Sequence, residues 1–117
     1  MVNCIRRTYK AEGDGCNVVE CSVYYSKGGV NWATGREEAR GYYFSVQPFE
    51  INGNCRSFRA FSGAKTLVLP VGRQSKKGYE TAKAQLDELV AEYLNGFAEA
   101  NGIKVFMDEF ETVEEER

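Results

Sequence analysis

With 117 residues, 43% of them apolar and 13% aromatic, the chain is sized for one domain with its own hydrophobic core and is too apolar for wholesale disorder. It contains no histidine, which excludes Ser-His-Asp and Cys-His nucleophile activation, histidine general bases and histidine metal ligands. Its net charge of -2 conceals an asymmetry: residues 36 to 83 hold nine Lys/Arg against four Asp/Glu, whereas residues 87 to 117 hold ten Asp/Glu against two Lys/Arg. One cationic and one acidic surface are expected, and with them a charged partner.

The first 17 residues read as an irregular N-terminal segment, with a short strand near Cys4–Tyr9 and a turn cluster at Glu12-Gly13-Asp14-Gly15. A single α+β domain is expected over 18–111. Val18–Ser26 alternates as a strand, with Val19, Cys21, Val23 and Tyr25 on one face and Glu20, Ser22 and Tyr24 on the other. Residues 27–41 form a long glycine- and charge-rich connection that carries the only tryptophan, Trp32, together with Arg36 and Arg40. Trp32 either caps the edge of the core or serves as an exposed aromatic anchor for a partner.

A second strand follows over Tyr42–Ile51, with Tyr42, Phe44 and Val46 opposite Tyr43, Ser45 and Gln47. Pro48 should end it, bulge it or place it on an edge. Asn52-Gly53 predicts a tight type I′ hairpin into a strand at Cys55–Phe61, and Ser62-Gly63 turns into another at Lys65–Val71. From Ser75 to Gly102 the apolar residues Tyr79, Ala82, Leu86, Leu89, Val90, Tyr93, Leu94 and Phe97 recur at helical spacing. Lys83, Asp87, Glu88, Glu92, Asn95 and Glu99 fill the other side, and Asn101-Gly102 marks the end. This predicts one long amphipathic helix. Ile103–Phe110 reads as a last strand, which could lie parallel to the fourth, and 112–117 as a frayed acidic tail. The expected architecture is α+β: a mostly antiparallel sheet of four to five strands with the helix packed on one face.

Three places could carry chemistry. Arg73, Ser75, Lys76 and Lys77 open the helix, and cations there oppose the helix dipole, which a bound anion or nucleic-acid phosphate would relieve. The uncovered sheet face could set Tyr24, Tyr43 and Phe49 beside Arg56 and Arg59, a pattern suited to stacking on single-stranded bases. The carboxylates Glu37, Glu38, Asp108, Glu109 and Glu111 could hold Mg²⁺ in a minimal nuclease, or imitate nucleic acid toward a basic protein groove. Of the four cysteines, Cys4, Cys16, Cys21 and Cys55, only Cys16 and Cys21 are close, with four residues between them, so a zinc site would need all four as ligands and partly buried thiols are the expected reading. No cofactor is expected. No apolar run approaches the ~20 residues of a membrane span and the N-terminus lacks the apolar core of a signal peptide, so a cytoplasmic protein is expected.

Tyr25-Ser26-Lys27-Gly28-Gly29, Gly41-Tyr42-Tyr43, Phe61-Ser62-Gly63 and the basic run after Val71 together give the chain, over residues 22 to 103, a composition that resembles small orphan proteins encoded on phages and conjugative elements of gut Firmicutes. Some of these are anti-CRISPR inhibitors, which bind an effector nuclease or interfere with its guide RNA and need no active site. The resemblance implies a non-enzymatic inhibitor that engages a nucleic-acid-handling protein. On that reading Trp32, Arg36, Arg40, Glu88 and Glu92 would contact the protein partner. The alternative is a direct nucleic-acid-binding module using Arg56, Arg59, Arg73, Ser75, Lys76 and Lys77. Either could be a homodimer through an exposed strand edge.

Overall fold

The computed structural model describes residues 1–30, 35, 37–53, 55–57, 65–69 and 73–117, with the main chain alone for 55–57 and 65–68. Four long strands carry the sheet: β1 (Cys4–Gly13), β2 (Cys16–Ser26), β5 (Gly41–Asn52) and β8 (Lys104–Glu115). Their spatial order is β5-β2-β1-β8, antiparallel throughout. The outer edge of β5 is shared by two short strands, β7 (Lys65–Val68) alongside Tyr43–Val46 and β6 (Cys55–Ser57) alongside Glu50–Asn52. Between β2 and β5 a two-residue ribbon joins β3 (Gly29–Val30) to β4 (Glu37–Glu38). Two helices, α1 (Lys76–Lys83) and α2 (Leu86–Asn101), cover one face. The chain is an α+β protein.

The alternation read for β2 and β5 produces this layering. Val19, Cys21, Val23 and Tyr25 face the helices together with Tyr42, Phe44 and Val46, and Ile5 and Tyr9 extend that face across β1. The helices bring Tyr79, Ala82, Leu86, Val90, Leu94 and Phe97 onto it, each side chain contributing about 1.5–3 kcal/mol by leaving water if it is large and apolar. Pro48 neither bulges nor ends β5. It pairs with Val19 and falls in the gap between β7 and β6, where the outer edge of the strand needs no donor. The hairpin into β6 forms, but Asn52 still pairs with Cys55, so the turn begins at Gly53, whose φ is +61°.

Three expectations are corrected. The single long helix is two: the Gln85 amide bonds to the Ala82 carbonyl, three residues back, and the α-helical ladder restarts from Gln85 to Leu89. Neither Gly nor Pro marks the break; the Thr81 carbonyl there accepts from the Gln85 side-chain amide at 3.4 Å while the Gln85 main-chain amide turns to Ala82. The N-terminal segment is a ten-residue strand rather than irregular chain. Finally, the last strand is not parallel to a neighbour and its acidic end is not frayed. It runs to Glu115 and pairs antiparallel with β1, from Cys4 opposite Glu115 to Tyr9 opposite Phe110, with a bulge at 106–109 before Val105 pairs with Ala11.

That closing strand is fastened at its end. Buried Asn3 donates its backbone amide to the Glu115 carbonyl at 3.1 Å, while its side-chain oxygen accepts from the Arg117 amide at 2.7 Å. The Tyr25 amide in turn donates to the Asn3 carbonyl at 3.0 Å. Deleting residues 112–117 should therefore lower the melting temperature by more than about 5 °C, the effect of at least one lost kcal/mol in a domain this size. A tail without a structural role would leave it within a degree or so, as a thermal melt of the truncated chain would report.

Candidate functional site

The basic residues expected to form one surface are divided by the length of β5. The opening of α1 lies against the start of that strand: a Cβ on Gly78 would stand 3.5 Å from the Tyr42 ring. Arg56 pairs with Ile51 near the other end. Ile51 lies nine positions after Tyr42, about 30 Å of strand. Arg73, Lys76 and Lys77 are exposed, so the opening of α1 is cationic, but Ser75 is committed to the helix: its hydroxyl accepts from the Gly78 amide at 2.9 Å as N-cap. Arg59, Trp32 and Arg36 lie outside the described residues, as does the side chain of Arg56. Arg40 is exposed just before β5, and Glu88 and Glu92 are exposed on the outer side of α2.

The uncovered sheet face is not an aromatic platform. Tyr24 and Tyr43 stack on one another with ring centroids 5.8 Å apart, and they are 2% and 5% exposed. The segment around β4 fastens both: the Tyr24 hydroxyl donates to Glu38 at 3.0 Å and that of Tyr43 to the Ala39 carbonyl at 2.6 Å. The Arg117 guanidinium covers the Tyr24 ring at 3.9 Å. Rings closed in this way offer no face to a base. Phe49 is half-buried, and Ser22 and Ser45 bridge β2 and β5 with hydroxyls 2.9 Å apart.

Beside these tyrosines lies a polar basin of about 190 Å³, lined by Arg6, Glu20, Ser22, Ser45, Glu115 and Arg117 among others. Arg6 pairs with Glu115 at 3.3 Å, and the two arginines and two glutamates that line the basin balance in formal charge. The carboxylates considered for Mg²⁺ are also dispersed. Glu37 and Glu38 belong to the β3–β4 ribbon near β2 and β5, whereas Asp108, Glu109 and Glu111 belong to β8 on the far edge. No cluster of three metal-ligating side chains forms among the described residues.

Cys4 and Cys21 point to opposite faces of the sheet and cannot share an ion. Burial pushes the Cys4 thiol up to about 11 and the Cys21 thiol up to about 12. Both are therefore protonated and unreactive at neutral pH. No helix among the described residues is long and apolar enough to cross a membrane.

What the structure does concentrate is acidity at one edge. β8 ends the sheet, and its outer side pairs with no strand among the described residues. It carries Asp108, Glu109, Glu111, Glu114 and Glu115, and exposes Met107, Phe110 and Val113 by 38%, 45% and 44%. Met1 and Val2, exposed as well, adjoin its end, where the N-terminal ammonium meets Glu116 at 3.0 Å. The adjacent α2 adds Asp87, Glu88, Glu92 and Glu99 on its exposed side. Sequence reading noted the acidity but took its terminal part for a loose tail. The strand itself was read over Ile103–Phe110, but its continuation to Glu115 was missed because Thr112–Glu115 offers Val113 alone as an apolar residue among acids.

Comparison with family models, with curated proteins and with solved structures gave no match for this chain.

Two groups fix α1 to this edge. Glu114 accepts from the Tyr79 hydroxyl at 2.7 Å and pairs with Lys83 at 2.8 Å. Lys83 first, then Tyr79, holds the Glu114 carboxyl below its ordinary value of 4.5. A depressed carboxylate stabilises the fold above its unfolded pKa and ceases to do so as pH falls through the folded one. Glu114→Gln should thus be less stable than the parent by an amount constant at neutral pH and shrinking below about pH 4.5, in urea melts across a pH series. An equal deficit at every pH would mean that packing, not charge, is what the substitution removes.

The buried thiols give a second check. In the native chain Cys4, Cys16 and Cys21 should alkylate at pH 8 only at the rate at which the protein opens, by site-resolved mass spectrometry, and rapidly in denaturant. Labelling of Cys21 at the rate of a solvated thiol would contradict its burial.

Proposed function

We propose that this chain acts by binding rather than by catalysis, as a cytoplasmic inhibitor or accessory protein of a phage or mobile element that engages a nucleic-acid-handling protein. Within that class the specific reading is an anti-CRISPR acting on an RNA-guided effector nuclease. The observation that supports it is the acidic surface of β8 and the outer side of α2, where ten Asp/Glu stand against two Lys/Arg from residue 87 onward. Proteins that handle nucleic acid carry cationic grooves, and a dense display of carboxylates on a rigid edge complements such a groove. The compositional resemblance to small mobile-element proteins points the same way.

Direct nucleic-acid binding is the second reading, favoured by the exposed Arg73, Lys76 and Lys77 at the opening of α1. It is weakened by the burial of Tyr24 and Tyr43 and by the distance between that cationic turn and Arg56. A guide-RNA contact would draw on the same basic residues.

The two readings separate in one titration. Purified chain is titrated with labelled single-stranded RNA and DNA across a salt series, and in parallel with a purified RNA-guided effector nuclease. The inhibitor reading expects weak nucleic-acid binding and micromolar or tighter binding to the nuclease, reduced about tenfold by Glu88→Lys with Glu92→Lys. Tight binding to free nucleic acid with a steep negative salt slope, lost in Arg73→Glu or Lys76→Glu, would replace it with the second reading.

A further inference from the structure

We infer that the outer edge of β8 from Phe110 to Glu115 is a strand-addition site for an extended basic segment of a partner protein; the inference rests on the acidic-surface reading above and gives it a mechanism. These six residues are paired with β1 without irregularity, so the stretch is a straight ladder with its other row of amides and carbonyls facing outward. Six residues are the length of an ordinary strand, enough to template another. An open edge of this kind binds through main-chain hydrogen bonds, with alternate side chains supplying selectivity.

The side chains say what kind of segment fits. Phe110 lies on the helix side, in contact with Tyr9 at 5.2 Å between centroids and with the Arg7 guanidinium 4.9 Å from its ring, yet remains nearly half exposed. Val113 is equally exposed on the opposite face. An added strand that sets its apolar side chains beside Phe110 on the helix face therefore sets the intervening ones beside Glu111, Val113 and Glu115 on the other. Glu111 is exposed, as are Asp108 and Glu109 from the bulge. The complement is a segment in which Lys or Arg alternates with apolar residues.

A second copy of this chain is a poor occupant. Residues opposite one another in an antiparallel pair share a face, so two β8 strands meeting over this stretch centre on Thr112 or Val113: the first sets Glu111 diagonally across from Glu111 and Glu115 of the other copy, the second sets Glu111 directly opposite Glu115. Shifting the register to centre on Glu111 sets Glu111 against itself and Asp108 against Glu114. Like charges directly opposite destabilise a strand pair.

The test uses the full chain and a nine-residue peptide alternating lysine with valine. Its controls are a charge-matched twin with N-methylated backbone amides, and the same peptide with glutamate in place of lysine. Binding is read by fluorescence anisotropy, and its location by amide NMR and hydrogen exchange. The lysine peptide should bind and slow exchange specifically along 110–115. N-methylation should cost at least about tenfold in affinity. Glu111→Lys should weaken the lysine peptide severalfold and improve the glutamate one, with an unchanged far-UV spectrum.

Equal binding of the methylated twin, or shifts confined to α2, would overturn the edge site while leaving the acidic surface as a binding face. Indifference to the lysine peptide beside tight capture of a basic nuclease would likewise overturn the edge alone. Indifference to both would remove the acidic-surface reading as well. A concentration-dependent dimer that protects 110–115 without peptide would assign the edge to a second copy.

Discussion

The pairing of the first strand with the last is the constraint on which the rest depends. β1 is flanked by β2 on one side and β8 on the other, so its residues can be buried only when a segment about a hundred positions away has arrived. Ile5 and Tyr9 then join the helix-facing core while Cys4 is enclosed beside Tyr24 and Tyr43 on the other face. The Asn3 clamp is the chemical expression of the same constraint: one buried amide side chain and its backbone hold β2, β8 and Arg117 together. An unpaired group there would be costly, which is why a polar residue at 1% exposure is tolerated.

Those elements whose burial follows a simple period were legible in the sequence. β2 and β5 alternate cleanly, the apolar positions of α1 and α2 keep steps of three and four, and Gly102 closes α2 at φ +63°, in the left-handed conformation its position suggested. β1 was less legible because Arg7 occupies a core-facing position, its guanidinium carried outward to Asp87 at 2.7 Å. The first part of β8 was legible over Ile103–Phe110, whereas its end was hidden by the acidity of the stretch to Glu115. The break between the helices had no breaker residue to announce it, because the apolar pattern runs through Gln85 unbroken.

Candidate sites fared according to how far they depended on three-dimensional placement. Exposure of Lys76, Lys77, Glu88 and Glu92 followed from their places on the helical surface. Proximity did not: Arg56 and the opening of α1 are close in the reading order of strands yet lie toward opposite ends of β5. The face of Tyr24 and Tyr43 was assigned correctly from alternation, but alternation does not reveal that Glu38, Ala39 and Arg117 close over the rings. Burial on a nominally open face comes from loops and chain ends, which carry no periodic signal.

The opposite charges of the two paired strands bear on how the protein reaches this state. β1 carries Arg6, Arg7 and Lys10, and β8 carries five acids that end beside them. Closing so long a loop is entropically slow, and until it happens β1 presents a bare edge to every other chain in solution. Its cations keep that edge from pairing with another β1, and the acids of β8 deny the same to a second β8. Of the pairings these two strands can make with themselves or each other, the native one alone sets a cationic strand against an acidic one. The pairing of β1 with β8 therefore carries a dependence on ionic strength that the finished core, made of Phe44, Leu94 and their neighbours, does not share.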